Sequence, residues 1–440
     1  MNIAVSPEVV TFGMFTALLL GILTGFPLAL PIGGVGVITG YLLFGPNSFN
    51  LIYSRLYAIL TDYGFMAVPL FVFMGNMLEQ SGIAEKMYDA IYVWFGKFRG
   101  GLAITSILIG TIMATCVGIV AASITMLTLV ALPAMMKRNY DKGLATGSIC
   151  AGGTLGILIP PSIMLIIYGP VAWISVGKLF MAAFMPGFLL SGLYILYVIV
   201  RSYLQPAVAP SAVDEGQVIP FGQKTKMLLV TMAPTALLIL SVMGAIYFGF
   251  ASPTEAAAVG SLIATLLTIA YGRFSWKVLK DVSIDTIKLT GMVLLVAGCS
   301  TAFVSIFLSA GGGDVVKNFI LSIPGGRWGA FTLIMIVCFI LGMFIDWIGI
   351  IYIMVPILAP IIPKLGFDPL WFAMMVIVNL QMSFLTPPFA YSIFFLKGAA
   401  APELGINTND IIKGVIPFII LIAIGLLLMV FFPQIILWLP

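Results

Sequence analysis

Long apolar runs, interrupted by short polar stretches and by glycine or proline at recurring places, set the pattern of this 440-residue chain. Runs near 8–29, 30–46, 63–82, 142–170 and 176–201 have the length of membrane-spanning helices, which take about 20 apolar residues each. A second series lies near 228–250, 253–272, 289–311, 368–397 and 412–438. The stretches 101–136 and 329–363 fit differently, because glycine or polar residues fall near their middles. A straight helix of that length would reach ~50 Å, past a hydrocarbon core of ~30 Å. The pattern predicts two re-entrant hairpins, turning near 115–119 and 342–346. Residues 83–100 and 315–329 alternate as amphipathic surface helices do, and are expected to brace the two halves. The first run, with no basic segment before it and no small-residue cleavage site after it, reads as a spanning helix and not a signal peptide.

The two series are related. Pro160-Pro161 recurs as Pro387-Pro388, Pro133 as Pro360 and Gly64 as Gly291, all at an offset of 227. The expected organisation is therefore a first repeat over 1–205, a polar proline-bearing cytoplasmic linker over 206–227, and a second repeat over 228–440. Five crossings per repeat is odd, so the repeats must lie in opposite orientations. Charge placement agrees: with the linker inside, 15 of the Lys and Arg residues fall in inner loops and 5 (Arg55, Lys178, Lys317, Arg327, Lys364) outside. Both termini are then expected outside. The predicted class is an all-α polytopic membrane protein: two inverted-topology repeats, about ten transmembrane helices, some broken, and two re-entrant hairpins.

Composition narrows the function. With 61% hydrophobic and 8% charged residues, the chain has too little polar surface to face water all round. It contains no histidine, which removes the usual catalytic base and the commonest transition-metal ligand. Its four cysteines stand singly in apolar segments, so no transition-metal site and no disulfide framework is expected. The net charge of +4 is scattered and suggests no nucleic-acid partner. No GxxxxGK[ST] motif is present for driving work with ATP.

Inverted repeats with interrupted helices place binding sites at the bilayer midplane, where freed carbonyls ligate cations and half-helix N-termini face anions. Four interruptions qualify. The first half offers Thr115 and Gly118 at the hairpin tip with Ser123 beyond it, then Gly153 and Thr154 running into Pro160, Pro161 and Ser162. The second half offers Gly342 and Asp346 at its tip, then Asn379, Ser383 and Thr386 before Pro387 and Pro388. Asp346 is the sharpest of these, since a carboxylate in an otherwise uncharged apolar run costs on the order of 3 kcal/mol unless paired or hydrated. The competing reading makes it a cap for the half-helix that follows. Asn76, Asn379 and Gln381 are read first as interhelical hydrogen-bonding amides, and Glu255 as a stabiliser of the helix start behind Pro253.

The segments MKRNYDKGLATGSICAGGTLGILIPPSIMLIIYG, PTEAAAVG, FIDWIGI and NLQMSFLTPPFAYSIFFLKGAAP resemble the large membrane subunit of tripartite ATP-independent periplasmic (TRAP) transporters over nearly the whole chain. The resemblance implies an elevator-type importer of small organic anions in the bacterial inner membrane, with sodium ions as the coupling ions and no other cofactor. It also implies two partners, a small four-helix membrane subunit and a periplasmic substrate-binding protein. Carried onto this chain, one sodium site takes Gly118, Gly153 and Thr154, and the other Gly342, Asp346 and Thr386. The first hairpin tip departs from the Ser-Gly-Ser pattern of many members: it reads Val117-Gly118-Ile119-Val120, with Ser123 as a late substitute. That variant resembles the branch linked to sugar alcohols, 2-oxo acids or aromatic acids, so C4-dicarboxylates are not singled out.

Three function classes compete. A secondary transporter uses the internal repeat directly. A passive channel calls for a filter repeated around an oligomer axis. A membrane-embedded enzyme without histidine would need an aspartyl dyad or a Ser-Lys pair in the membrane, and Ile119, not a carboxylate, stands at the repeat position of Asp346. A stand-alone carrier resembling divalent-anion/sodium symporters is the nearest alternative.

Overall fold

The computed structural model describes residues 6–96, 98–118, 120–211 and 220–440, apart from the side chains of Cys116 and Val117, and every regular element among them is helical. The first half comprises α1 (Pro7–Leu23), α2 (Ala29–Phe44), α3 (Asn47–Leu60), α4 (Ala67–Gln80), α5 (Ile83–Phe95), α6 (Gly101–Val117), α7 (Val120–Lys137), α8 (Lys142–Thr154), α9 (Ile163–Ala172) and α10 (Val176–Leu204). The second comprises α11 (Phe221–Tyr247), α12 (Pro253–Ala270), α13 (Trp276–Ser309), α14 (Gly312–Leu321), α15 (Gly326–Gly342), α16 (Trp347–Leu358), α17 (Pro369–Leu385), α18 (Tyr391–Ala399) and α19 (Thr408–Phe431). Most of the linker lies at 212–219, outside the described residues, as does Ile119 at the first tip.

The offset of 227 carries element onto element. Helix α7 starts at Val120 and α16 at Trp347, while α8 starts at Lys142 and α17 at Pro369. Even the caps repeat: Asp141 accepts a hydrogen bond from the Leu144 amide at 2.9 Å, and Asp368 from the Leu370 and Trp371 amides at 2.8 and 2.9 Å. Packing between the halves is reciprocal. Helix α4 packs on α12 and α2 on α13; α5 on α11 and α14 on α1; α7 on α18 and α16 on α9. Contacts exchanged in this way are the mark of a two-fold relation.

All four predicted interruptions are real. The α6–α7 hairpin turns at Gly118, which takes a left-handed φ of +63° that a residue without a Cβ adopts freely. The α15–α16 hairpin turns through Met343–Asp346. Helix α8 stops at Thr154, tightens through a 3-10 turn at Leu155–Ile157, and the chain passes Pro160-Pro161 before α9 begins. Helix α17 stops at Leu385, where Thr386 is extended (φ −99°, ψ 124°) as a residue before proline prefers to be. Both Pro-Pro bonds are cis. Helices α6 and α7 pack on one another, as do α15 and α16, so each hairpin folds back.

Among the described residues, six helices are long and apolar enough to cross a membrane alone, or seven if the 47–80 pair is taken as one span bent by 52°, and further apolar helices are shorter, as broken spans are. The runs at 142–170 and 368–397 are each two shorter helices, because their prolines cannot continue the hydrogen-bond ladder. Residues 47–60, outside the expected spans, form α3, whose apolar side (Ile52 buried) rests on α13. Residues 276–288, also outside them, are the opening turns of the 34-residue α13. The second brace is α14 at Gly312–Leu321, not 315–329, and its hairpin begins at Gly326.

Candidate substrate and ion site

Each hairpin tip is seated against the interrupted helix of its own half. In the first half a Cβ on Gly118 would lie 2.9 Å from the Pro161 carbonyl oxygen and 3.7 Å from the Ser162 Cα. One turn further on, a Cβ on Gly153 would strike the Ile124 side chain, so α7 and α8 approach closely beside Ser123. The Ser123 hydroxyl is buried among these groups with no hydrogen-bond partner among the described residues. Thr154 bonds back to the Ala151 carbonyl at 2.9 Å, and Ser162 to the Ile157 carbonyl at 2.5 Å. Thr115 bonds back to the Ile112 carbonyl at 2.5 Å. Pro160 and Pro161 are buried with the rest of this break.

In the second half a Cβ on Gly342 would meet the Ser383 Cβ and Oγ at 2.5 Å. The Phe389 amide donates to the Met343 carbonyl at 3.3 Å, joining the tip to the chain just past Pro387-Pro388. The exposed rings of Phe344 and Phe389 meet edge to face with centroids 6.4 Å apart. Asp346 takes the N-cap position of α16 and is half-buried; its carboxylate faces the Trp347 and Ile348 amides without closing a capping hydrogen bond of ordinary geometry. Capping is thus a partial account of this carboxylate. Thr386 bonds back to the Met382 carbonyl at 2.9 Å.

Not every candidate side chain points into this region. Asn379 donates to the Met335 carbonyl at 2.8 Å, tying α17 to α15, and Gln381 reaches Tyr194 of α10 at 3.5 Å. Both act as interhelical amides. Glu255 closes a capping box with Ser252 at the start of α12, the stabilising role expected of it.

The two half-sites are interlocked. The return helix of each hairpin packs on the short helix that follows the break of the other half, α7 on α18 and α16 on α9. Cys150 of α8 donates to the Ser392 carbonyl of α18 at 3.6 Å across the same junction. The first break is buried throughout, whereas Phe344, Pro388 and Phe389 of the second half lie exposed.

One feature escaped the sequence. A cavity of about 710 Å³ lies between α3 and α13 on one wall and α9, α16 and the start of α17 on the other. Arg55, Asp62, Trp173 and Tyr352 line it. The available signal was a lone arginine and a lone aspartate seven residues apart on a segment otherwise rich in tyrosine and leucine.

Residues 15–435 match the family described as Tripartite ATP-independent periplasmic transporter, DctM component. The chain belongs to that family. The TRAP permease is 28% identical to the C4-dicarboxylate TRAP transporter large permease protein DctM of Pseudomonas aeruginosa, over 91% of each chain. It is 31% identical to a putative TRAP transporter large permease protein of Haemophilus influenzae, over 85% of this chain and 91% of that one. Relatives at 26–28% identity carry the names of isethionate, ectoine and sialic acid TRAP permeases, and the isethionate protein is called DctMQ. Among solved structures, the Alcanivorax borkumensis YdaH transporter, described as having an unusual topology, superposes with a TM-score of 0.66 over 97% of this chain and 99% of its own, at 16% identity. That likeness speaks for the fold. The permease is accordingly a multi-pass membrane protein and a transporter subunit, not an enzyme.

Proposed function

We propose that this permease is the membrane-spanning subunit of a sodium-coupled, binding-protein-dependent importer of small organic acids, working by elevator-type alternating access. The observation that carries the reading is the seating of each hairpin tip on its own broken helix, Gly118 on Pro161 and Gly342 on Ser383. Such junctions put unpaired carbonyls and amides in the membrane interior, where they persist only if buried or if they ligate an ion or substrate. Sodium is assigned to the carbonyls around Gly118, Gly153 and Thr154, with the Ser123 hydroxyl, and to those around Gly342 and Thr386, with the Asp346 carboxylate. A small organic anion is assigned to the space between the two half-sites.

The reciprocal contacts of α4 with α12 and α2 with α13 give a frame, within which hairpins and broken helices form the moving body. The small membrane subunit is assigned to this frame; a relative named DctMQ is consistent with a partner lying alongside. A periplasmic protein delivers the substrate. Insertion is assigned to the inner membrane with both termini outside, an orientation supported by the excess of Lys and Arg in the inner loops. The substrates named for relatives span a dicarboxylate, a sulfonate, a zwitterion and a sugar acid, so the transported class is an organic acid of modest size.

The test is reconstitution of the permease with both partners in liposomes, scored for uptake with and without an inward sodium gradient. Accumulation that ignores the gradient would end the coupling assignment. Asp346→Ala is expected to lower uptake at least tenfold with normal membrane insertion; wild-type uptake in that variant would return Asp346 to a capping role.

A further inference from the structure

We infer that the cavity beside Arg55 is a separate binding site for a monoanion with an apolar body, such as a monocarboxylate, distinct from the hairpin-tip site. Its volume of about 710 Å³ is in the range of small-molecule pockets, which are mostly apolar with a few placed polar groups. This cavity has that make-up: Phe65, Ile174, Val304 and Phe372 supply apolar wall, while the charge is concentrated in Arg55 and Asp62. Arg55 forms no ion pair among the described residues, so its guanidinium is available to an incoming anion. Asp62 is already engaged, accepting from the Gly64 amide at 2.7 Å. Tyr352, in the wall of the cavity, is 2% exposed and its hydroxyl has no hydrogen-bond partner among the described residues. A buried hydroxyl left unpaired is unfavourable, and a ligand oxygen would supply the missing bond.

The charge pattern selects among anions. One arginine pairs with one carboxylate, and the fixed negative charge of Asp62 opposes a second. A dicarboxylate is therefore disfavoured, and an apolar body is favoured by the aromatic wall. The hairpin tips are not among the lining residues. Asp346 lies six residues before Tyr352 on α16, or about 9 Å along the helix. The cavity is a vestibule short of the ion site. Its placement on the outer side rests on the orientation proposed above, where Arg55, Lys178 and Lys364 fall outside.

The experiment is equilibrium binding to the full chain in nanodiscs, with cyclohexanecarboxylate, succinate and cyclohexylmethylamine as probes, read by calorimetry with no sodium gradient. Cyclohexanecarboxylate is expected to bind, with succinate and the amine at least tenfold weaker. Arg55→Gln should weaken the carboxylate at least tenfold and Tyr352→Phe severalfold, while Asp62→Asn should narrow the gap to succinate. Binding that is unchanged in Arg55→Gln, or equal for acid and amine, overturns the site. An anionic outer-leaflet lipid carries the same head-and-body chemistry, so nanodiscs of phosphatidylcholine are compared with ones containing phosphatidylglycerol. Loss of cyclohexanecarboxylate binding in the second would assign the cavity to lipid and overturn a solute site. Sodium-driven uptake by the assembled transporter is scored separately: uptake without binding here sinks this inference alone, and binding without uptake sinks the transport reading alone.

Discussion

Gly342→Ala tests whether the second hairpin tip is held by direct contact with the broken helix. The new methyl would sit 2.5 Å from both the Cβ and the Oγ of Ser383, whereas carbon atoms rest at about 3.5–4.0 Å. Helices α15 and α17 must separate by roughly 1 Å at this point, and overpacking of this kind costs about 1–3 kcal/mol. Both clashing atoms belong to one side chain, so Ser383→Gly removes them together and leaves Leu380 at 3.4 Å, an ordinary contact. Alone, Ser383→Gly loses hydrogen bonds to the Phe339 and Asn379 carbonyls, at 3.2 and 3.3 Å, and places a glycine inside a helix. Its own cost is about 1–2 kcal/mol. The double variant is expected to be less destabilised than the two singles added together, by about 1–3 kcal/mol. The assay is an SDS unfolding titration of the four proteins, with the sodium concentration for half-maximal uptake measured in parallel. Uptake should need more sodium in Gly342→Ala and recover in the double variant. Additivity within about 0.5 kcal/mol, with no recovery of sodium dependence, would refute the contact and the seating argument with it.

Other outcomes follow from the same geometry. Gly118→Ala should impair transport, because a left-handed non-glycine residue costs about 1–2 kcal/mol and its methyl would press on the Pro161 carbonyl; Gly192→Ala, with open space around its Cβ in α10, should transport as wild type. Ser123→Ala removes a buried hydroxyl that lacks a partner among the described residues, so it should leave stability unchanged or raise it by up to about 1 kcal/mol. The same variant should need severalfold more sodium for uptake, and an unaltered sodium curve would remove Ser123 from the ion site. Ser252→Ala opens the capping box of α12, and should lower stability by about 0.5–2 kcal/mol in the same titration without moving the sodium dependence.

The hairpins, the four breaks and the reciprocal halves were legible because their causes are local. Glycine at 118, the Pro160-Pro161 and Pro387-Pro388 pairs and apolar runs of fixed length constrain the backbone wherever the rest of the chain lies. Ser252 and Glu255, three residues apart, likewise carry their cap in the sequence. Residues 47–60 were missed for the converse reason: their hydropathy is moderate, and α3 forms against α13, more than 200 residues away.

What only the tertiary structure decided is which distant groups meet. Nothing local pairs Gly342 with Ser383, sends Asn379 to the Met335 carbonyl, or leaves the Ser123 hydroxyl unpartnered, and nothing local sets Arg55, Trp173 and Tyr352 around one cavity. Lipid rewards an apolar surface without regard to partner, so hydropathy fixes that a segment is a helix in the membrane. The choice of neighbour rests on shape, close glycine contacts and single hydrogen bonds between segments far apart in the chain.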